Sequence, residues 1–143
     1  MIINISEAAN LAIHALTYLA NNPEQQPVST GIVAHNMGAS ENHLSKVFQR
    51  LTKAGLVKSV RGPHGGFSLA WKPEDITLLE IYEAIDGPLT KTICVLGNTS
   101  CDRQNCVFGN LVTNIHDQVA EHFTSTSLGD LIEGPDATSS TLT

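Results

Sequence analysis

The amino-acid sequence predicts a mostly α-helical fold with one small β-hairpin and a separate helix near the C-terminus. Apolar residues recur at helical spacing through most of the chain, whereas two short stretches alternate apolar and polar residues around a glycine-rich turn. Of the 143 residues, 41% are hydrophobic and 15% are charged. This composition is typical of one globular domain with an ordinary core, and it excludes an intrinsically disordered chain.

Two helices are predicted near the N-terminus. The first covers residues 6–20, where Ser6 can cap the helix and the polar, proline-containing sequence that follows ends it. A shorter helix is predicted over residues 29–35, with Ile32 and Val33 facing the core. A glycine soon after this helix suits the left-handed conformation that commonly ends helices.

A third, strongly amphipathic helix is predicted to begin after an N-cap at Ser40 and to end at Gly55. Its apolar residues at positions i, i+3, i+4 and i+7 are Leu44, Val47, Phe48 and Leu51. The opposite face carries Asn42, His43, Ser45, Lys46, Gln49, Arg50 and Lys53. The helix therefore presents hydrogen-bonding and cationic side chains to the outside of the domain.

A β-hairpin is predicted after the third helix. Residues 56–60 and residues 67–71 each alternate apolar and polar side chains, as half-buried strands do. The sequence between them is Arg61-Gly62-Pro63-His64-Gly65-Gly66, whose residue types favour turns. We expect a protruding loop that carries Arg61 and His64.

Two further helices are predicted in the second half of the chain. A capping box formed by Thr77 and Glu80 indicates a helix over residues 77–86. A long helix is predicted over residues 107–124, with a short helical turn near residues 128–132. The apolar stripe of the long helix is predicted to be Leu111, Ile115, Val119 and Phe123.

The charge of the chain is unevenly distributed. Its formal net charge is −6, yet six of the eight lysine and arginine residues lie between positions 46 and 72. The stretch 40–72 contains one acidic residue, Glu41, and so carries a formal charge of +5, while the remainder carries −11. A basic patch on an acidic body is typical of a phosphate-binding surface, although a solvated basic face without a ligand has the same composition.

The order of a short helix, a tight turn, an amphipathic helix and a basic hairpin is that of a winged helix-turn-helix domain. In such a domain neutral polar side chains can read base edges, whereas cationic side chains more often hold phosphates. The predicted base-reading residues are Asn42, Ser45 and Gln49. The predicted phosphate-binding residues are Lys46, Arg50 and Lys53, and His43, Arg61 and His64 complete the predicted interface with double-stranded DNA.

Three runs of sequence resemble the Rrf2 family of bacterial transcription regulators. They are residues 5–16 (ISEAANLAIHAL), residues 51–69 (LTKAGLVKSVRGPHGGFSL) and residues 76–81 (ITLLEI). The resemblance covers roughly residues 3–133, and residues 51–69 are its most specific part. It implies a homodimer in which the C-terminal helix pairs with its mate, a partly palindromic DNA operator and, for members with three cysteines, an iron–sulfur cluster that couples a chemical signal to DNA affinity.

The predicted organisation divides the chain into four parts. Residues 1–87 form the DNA-binding domain, with the helix-turn-helix at about 28–51 and the wing at about 56–71. Residues 88–106 form a cysteine-bearing loop, residues 107–133 carry the dimerisation helix, and residues 134–143 form a small, polar tail that we expect to be disordered.

The three cysteines, Cys94, Cys101 and Cys106, fall within 13 residues. An odd number of cysteines does not make a disulfide scaffold, and a reducing compartment keeps such residues as thiols. Three thiolates on one loop can converge on a metal, and iron–sulfur clusters favour thiolate ligands. The residues alone leave zinc or metal-free redox thiols open, whereas the family resemblance favours a 2Fe-2S or 4Fe-4S cluster.

The resemblance also indicates where a fourth ligand could come from. Some relatives supply a histidine three residues after the last cysteine, where this chain has Gly109. Others use a residue of the first helix, which matches Asn10, with Glu7 one turn away. Another uses a histidine before the recognition helix, which matches His35. Because asparagine is a poor iron ligand, the choice among His35, Glu7 and Asn10 stays open.

We therefore expect a dimeric DNA-binding regulator whose operator affinity is controlled by a cluster that senses redox state, nitric oxide, oxygen or iron supply. The alternatives are a cluster-free thiol- or metal-responsive repressor, a small redox or cluster-carrier protein, and an adaptor that has lost DNA binding. The sequence contains no nucleotide-binding loop, Ser-His-Asp order or acid pair that would support an enzyme. A cytoplasmic location is expected because no run of about 18 apolar residues and no secretory signal is recognisable.

Overall fold

The computed structural model describes residues 4–90 and 106–132, which form a small helical domain with a β-hairpin. The helices are α1 (Glu7–Asn21), α2 (Thr30–Met37), α3 (Glu41–Lys53), α4 (Leu78–Asp86) and α5 (Leu111–Ser125). The strands are β1 (Val57–Val60) and β2 (Gly66–Leu69), and short 3-10 helices occur at Pro23–Gln25, Pro73–Asp75 and Leu128–Leu131. The predicted winged helix-turn-helix architecture is confirmed.

Local capping explains where the helices begin. The Ser6 hydroxyl accepts a hydrogen bond from the backbone N–H of the third residue of α1, and Ser40 does the same for α3. At α4 both hydrogen bonds of the predicted capping box between Thr77 and Glu80 are present. Gly38 ends α2 in the left-handed conformation with φ 64°.

The core is built around α1, which packs against both α3 and α4. Alanines on the buried side of α1, at positions 9, 12 and 15, let its neighbours approach closely, and Leu16 and Leu19 fill the remaining space. The predicted apolar face of α3 is confirmed, since Leu44, Val47, Phe48 and Leu51 are all buried. The polar face of α3 is thereby turned away from the core.

The hairpin is joined to the rest of the domain at three places. Its strands pair antiparallel, and Val28 adds a bridge to β2 through two backbone hydrogen bonds with Phe67, of 3.0 and 2.8 Å. The rings of Phe48 and Phe67 are stacked, with centroids 4.4 Å apart and planes within 6° of parallel. At the hairpin base, the indole N–H of Trp71 donates to the carbonyl of Gly55 at 3.0 Å. The position of the wing relative to α3 is therefore fixed by packing and backbone bonds.

Two sequence expectations about orientation were wrong. Ile32 was expected to face the core but is 50% exposed, because α2 is short and buries only Val33 and Ala34. On the C-terminal helix, Leu111 was assigned to the inward stripe but is also 50% exposed, and the buried residues are Val112, His116 and Phe123. Phe123 is buried as predicted and Val119 packs against the core, so the departure is confined to the first half of the helix, where Val112 and His116 are buried instead of Leu111 and Ile115.

The C-terminal helix also begins later than predicted. Residues 107–110 form a turn closed by hydrogen bonds from Gly109 to Cys106 and from Leu111 to Phe108, both 3.0 Å. The helix then runs for 15 residues, the same length as α1, so the expected long helix is not confirmed. It lies antiparallel to α4, because the N–H of Leu78 donates to the carbonyl of Thr126 at 3.0 Å.

The predicted disordered tail at residues 134–143 lies outside the described residues, as does most of the predicted cysteine loop. Across residues 4–90 and 106–132, none of the helices has the length and apolar character needed to cross a lipid bilayer.

Candidate nucleic-acid interface

The predicted contact face of α3 is accessible. Of its seven residues, Asn42, Lys46, Gln49, Arg50 and Lys53 are exposed, while His43 and Ser45 are half-buried. The face is outward because the four apolar residues on the other side of α3 are anchored in the core. These side chains therefore lie on the outer surface of the domain, where a partner can contact them.

The hairpin loop supplies the second part of the candidate interface. Arg61 and His64 are exposed in the turn between β1 and β2. Glycine is required beside them because a Cβ on Gly65 would lie 2.1 Å from the carbonyl oxygen of Val60. The stacked pair of Phe48 and Phe67 connects this loop to α3. The structure thus holds the two basic elements beside each other.

Arg50 differs from the other cationic residues of this face. Its Nη2 atom donates a hydrogen bond to the backbone carbonyl of Ile85, close to the C-terminal end of α4. The same end of α4 is tied to α1, because the Asp86 carboxylate accepts hydrogen bonds from the backbone N–H and the hydroxyl of Ser6. These contacts join residues 35 and 80 positions apart, so local sequence patterns gave no sign of them.

The predicted cluster ligands are only partly described. Cys94 and Cys101 lie outside the described residues, whereas Cys106 is half-buried and its thiol is not in a disulfide. Glu7 and Asn10 are exposed on α1, and His35 is exposed near the end of α2. Within the described ranges, no three histidine, cysteine or acidic side chains come together as a metal site. Cysteine thiols are the donor type that iron–sulfur clusters use.

A buried histidine was not anticipated from the sequence. His116 is 6% exposed, and among the described residues neither of its ring nitrogens has a hydrogen-bond partner, although Nδ1 lies 3.6 Å from the carboxylate of Asp117. Phe123 packs against Tyr82, in the middle of the antiparallel helix α4. His116 precedes Phe123 by two helical turns, or about 10 Å, on the same buried side of α5. Its spacing of four residues from Val112 was the sequence signal for its burial.

Comparison with known proteins identifies related transcriptional regulators. Residues 5–134 match Rrf2, a family described as iron-dependent transcriptional regulators. The chain is 30% identical over 129 residues to the HTH-type transcriptional regulator IscR of Aliivibrio salmonicida (strain LFI1238), covering 90% of this chain and 76% of the relative.

Solved structures share the same fold. One is described as CymR (YrzC), the global cysteine regulator of B. subtilis; it is 31% identical, with a TM-score of 0.76, and the match covers 90% of this chain and 95% of that one. Another, described as T. potens IscR, is 29% identical with a TM-score of 0.69, and the match covers 90% of this chain and 85% of the other.

Proposed function

This chain belongs to the Rrf2 family of transcriptional regulators and is a DNA-binding regulator rather than an enzyme; on this basis we propose that α3 and the hairpin loop read an operator under the control of an iron–sulfur cluster. The observation that carries the proposal is the exposed polar face of α3, held beside the basic hairpin by the stack of Phe48 on Phe67. A helix of this kind fits the major groove, where polar side chains meet base edges.

The proposed contacts divide into two classes. The neutral residues of α3 face the bases, and these are Asn42, Ser45 and Gln49, with His43 beside them. Lys46 and Lys53 hold phosphates from α3, while Arg61 and His64 reach the backbone or the minor groove from the hairpin loop. Arg50 carries the same charge, but its hydrogen bond to the carbonyl of Ile85 distinguishes it from the other cationic residues of α3.

We propose that the protein acts as a homodimer formed through the exposed side of α5. Val107 is 94% exposed, Phe108 is 48% exposed and Leu111 is 50% exposed, and half-buried Ile115 continues this side one turn further. Leu111 and Ile115 are one turn apart on one side of α5, and Val107 and Phe108 lie in the turn that leads into it. A second copy of the chain would cover this apolar surface. A dimer also suits a partly palindromic operator, whose half-sites are about 34 Å apart.

We propose that Cys94, Cys101 and Cys106 hold the cluster, with a fourth ligand from Glu7, Asn10 or His35. When bound, the cluster would supply a reactive centre that nitric oxide, oxygen or iron loss can alter. The cysteine segment lies between α4, which contacts α3, and α5, which carries the proposed dimer surface. A change in this segment could therefore alter the spacing of the two recognition helices, and a coupling of about 1–3 kcal/mol corresponds to a change in affinity of roughly 5- to 150-fold.

A cluster-free thiol- or metal-responsive regulator is the second candidate. It is supported by the similarity of this chain to a structure described as a global cysteine regulator, with 31% identity and a TM-score of 0.76. The fold by itself therefore does not favour a cluster-bearing regulator over a thiol-based one.

Anaerobic purification followed by iron and sulfide analysis tests the cluster directly. Operator affinity is then measured at fixed salt for loaded protein, cluster-free protein and the Cys106→Ser variant, using a DNA fragment selected from a random library. We expect the wild type to carry the cluster and the Cys106→Ser variant to lack it. We also expect the loaded and the cluster-free wild type to differ in operator affinity. Equal affinities would reject the switch. Absence of iron together with thiol-dependent DNA binding would favour the second candidate.

A further inference from the structure

Arg50 lies on the exposed face of α3, but its guanidinium is held at the end of a neighbouring helix by a hydrogen bond. Its hydrogen bond to the carbonyl of Ile85 spans 35 residues and joins α3 to α4. Lys46, one turn earlier on α3, is exposed and forms the natural comparison. Two cations of the same helix face therefore have different surroundings.

The C-terminal end of α4 is a favourable place for a cation. The last carbonyls of an α-helix have no partners within the helix, and the aligned peptide dipoles make this end partly negative. At the end of α4 the N–H of Gly87 donates a hydrogen bond to the carbonyl of Glu83 at 3.1 Å, while the carbonyl of Ile85 accepts one from the Arg50 guanidinium. Arg50 thus completes the C-terminal cap of α4 from a different helix.

The same helix end also fixes α1. Asp86 accepts a hydrogen bond of 3.0 Å from the backbone N–H of Ser6 and a second one from the Ser6 hydroxyl, which itself caps α1. The end of α4 consequently holds α3 through Arg50 and α1 through Ser6. The orientation of α3 on the domain depends on this junction as well as on the apolar core.

We propose that Arg50 is a positioning residue, which sets the orientation of the recognition helix by binding the end of α4 and does not neutralise a phosphate. The inference rests on the proposed role of α3 in reading DNA. A misplaced recognition helix loses base contacts that require correct geometry, whereas its attraction to the phosphate backbone depends mainly on charge. Loss of Arg50 should therefore weaken specific binding much more than non-specific binding.

The test compares Arg50→Ala with Lys46→Ala in the full-length protein. Affinities for the selected operator and for unrelated DNA are measured over a series of salt concentrations, and the concentration of active protein is determined by stoichiometric titration. For Arg50→Ala we expect a loss on the order of tenfold in operator affinity, comparable with the loss of a base contact. Binding to unrelated DNA and the slope of log K against log salt should stay close to wild type. For Lys46→Ala we expect the slope to become shallower by about 0.9 per protomer on both DNAs.

Each other outcome overturns the inference or the proposed function, and the two are distinguishable. A shallower slope for Arg50→Ala, equal to that of Lys46→Ala, would show that Arg50 binds a phosphate. A lower melting temperature with unchanged operator affinity would assign Arg50 a role in stability alone. If Arg50→Ala does not fold, Arg50→Gln is measured in the same way, because its amide removes the charge and keeps a donor group. Failure of the wild type to prefer any operator would instead reject DNA reading by α3.

Discussion

Substitution of Gly66 by alanine tests how the wing is held in place. Gly66 begins β2 with φ +155°, and a Cβ at this position would lie 2.2 Å from the carbonyl oxygen of Val28 and 2.7 Å from the backbone nitrogen of Ser29. Both neighbours are backbone atoms, and Ser29 is also the N-cap of α2. The strain therefore cannot be relieved by rotation of a side chain.

The expected loss of unfolding free energy in Gly66→Ala has three contributions. A backbone conformation with positive φ costs an L-residue about 1–2 kcal/mol. Moving Val28 away from β2 weakens its two hydrogen bonds with Phe67, each contributing about 1 kcal/mol. Imperfect relief of the remaining overlap adds about 1 kcal/mol. We expect Gly66→Ala to lower the free energy of unfolding by roughly 4 kcal/mol, a large part of the total for a small domain.

Gly62 in the same loop provides a matched control. It also has a positive φ, +113°, but a Cβ there would meet no atom within 4 Å in the described part of the chain. Gly62→Ala should therefore lower the free energy of unfolding by about 1–2 kcal/mol, because of its backbone conformation alone. Urea denaturation of the wild type and both variants, monitored by circular dichroism, gives the comparison. If Gly66→Ala is no less stable than Gly62→Ala, the close contact between Val28 and β2 does not constrain the wing as argued.

Three further predictions concern charge, assembly and pH. Lys46→Ala should make the salt dependence of operator binding shallower by about 0.9 per protomer, and an unchanged slope in a binding titration would remove this residue from the interface. Leu111→Glu should convert the dimer to a monomer in sedimentation analysis by placing a charge on the exposed apolar side of α5, and an unchanged mass would refute that dimer surface. Burial, with a smaller contribution from the carboxylates of Asp86 and Glu83, raises the pKa of Tyr82 above its ordinary value of 10.0. Because the folded state favours the neutral phenol, the stabilising contribution of Tyr82 is complete below pH 10 and is lost as the pH rises through the folded-state pKa. Tyr82→Phe should therefore flatten the decline of the unfolding free energy at alkaline pH. An equal decline in both proteins would contradict this prediction.

Most of the fold could be predicted from local sequence. The N-caps at Ser6 and Ser40 and the capping box of Thr77 and Glu80 are interactions between residues three positions apart, and all of them are present. The amphipathic pattern of α3 was equally clear, because its four apolar residues fit a single face. The predicted DNA contacts on α3 followed from that face.

The site was less predictable where chemistry depends on distant residues. The sequence identified Arg50 as one cation among several on α3, but its partner is a backbone carbonyl on α4. A carbonyl has no sequence signature, since every residue has one. The burial of His116 was likewise missed, because the sequence pattern placed the inward stripe of α5 one residue away, at Ile115.

The sequence by itself determined which segments form helices and strands, where the helices begin, and that positive charge is concentrated around α3 and the hairpin. These features depend on periodicity and on neighbours within one helical turn. Tertiary structure decided which side of α2 and α5 faces the core, exposing Ile32 and Leu111, and it brought Phe48 against Phe67 and Arg50 against α4. A short helix with apolar residues on more than one side can pack in several rotations, and the choice is made by the surface that it meets.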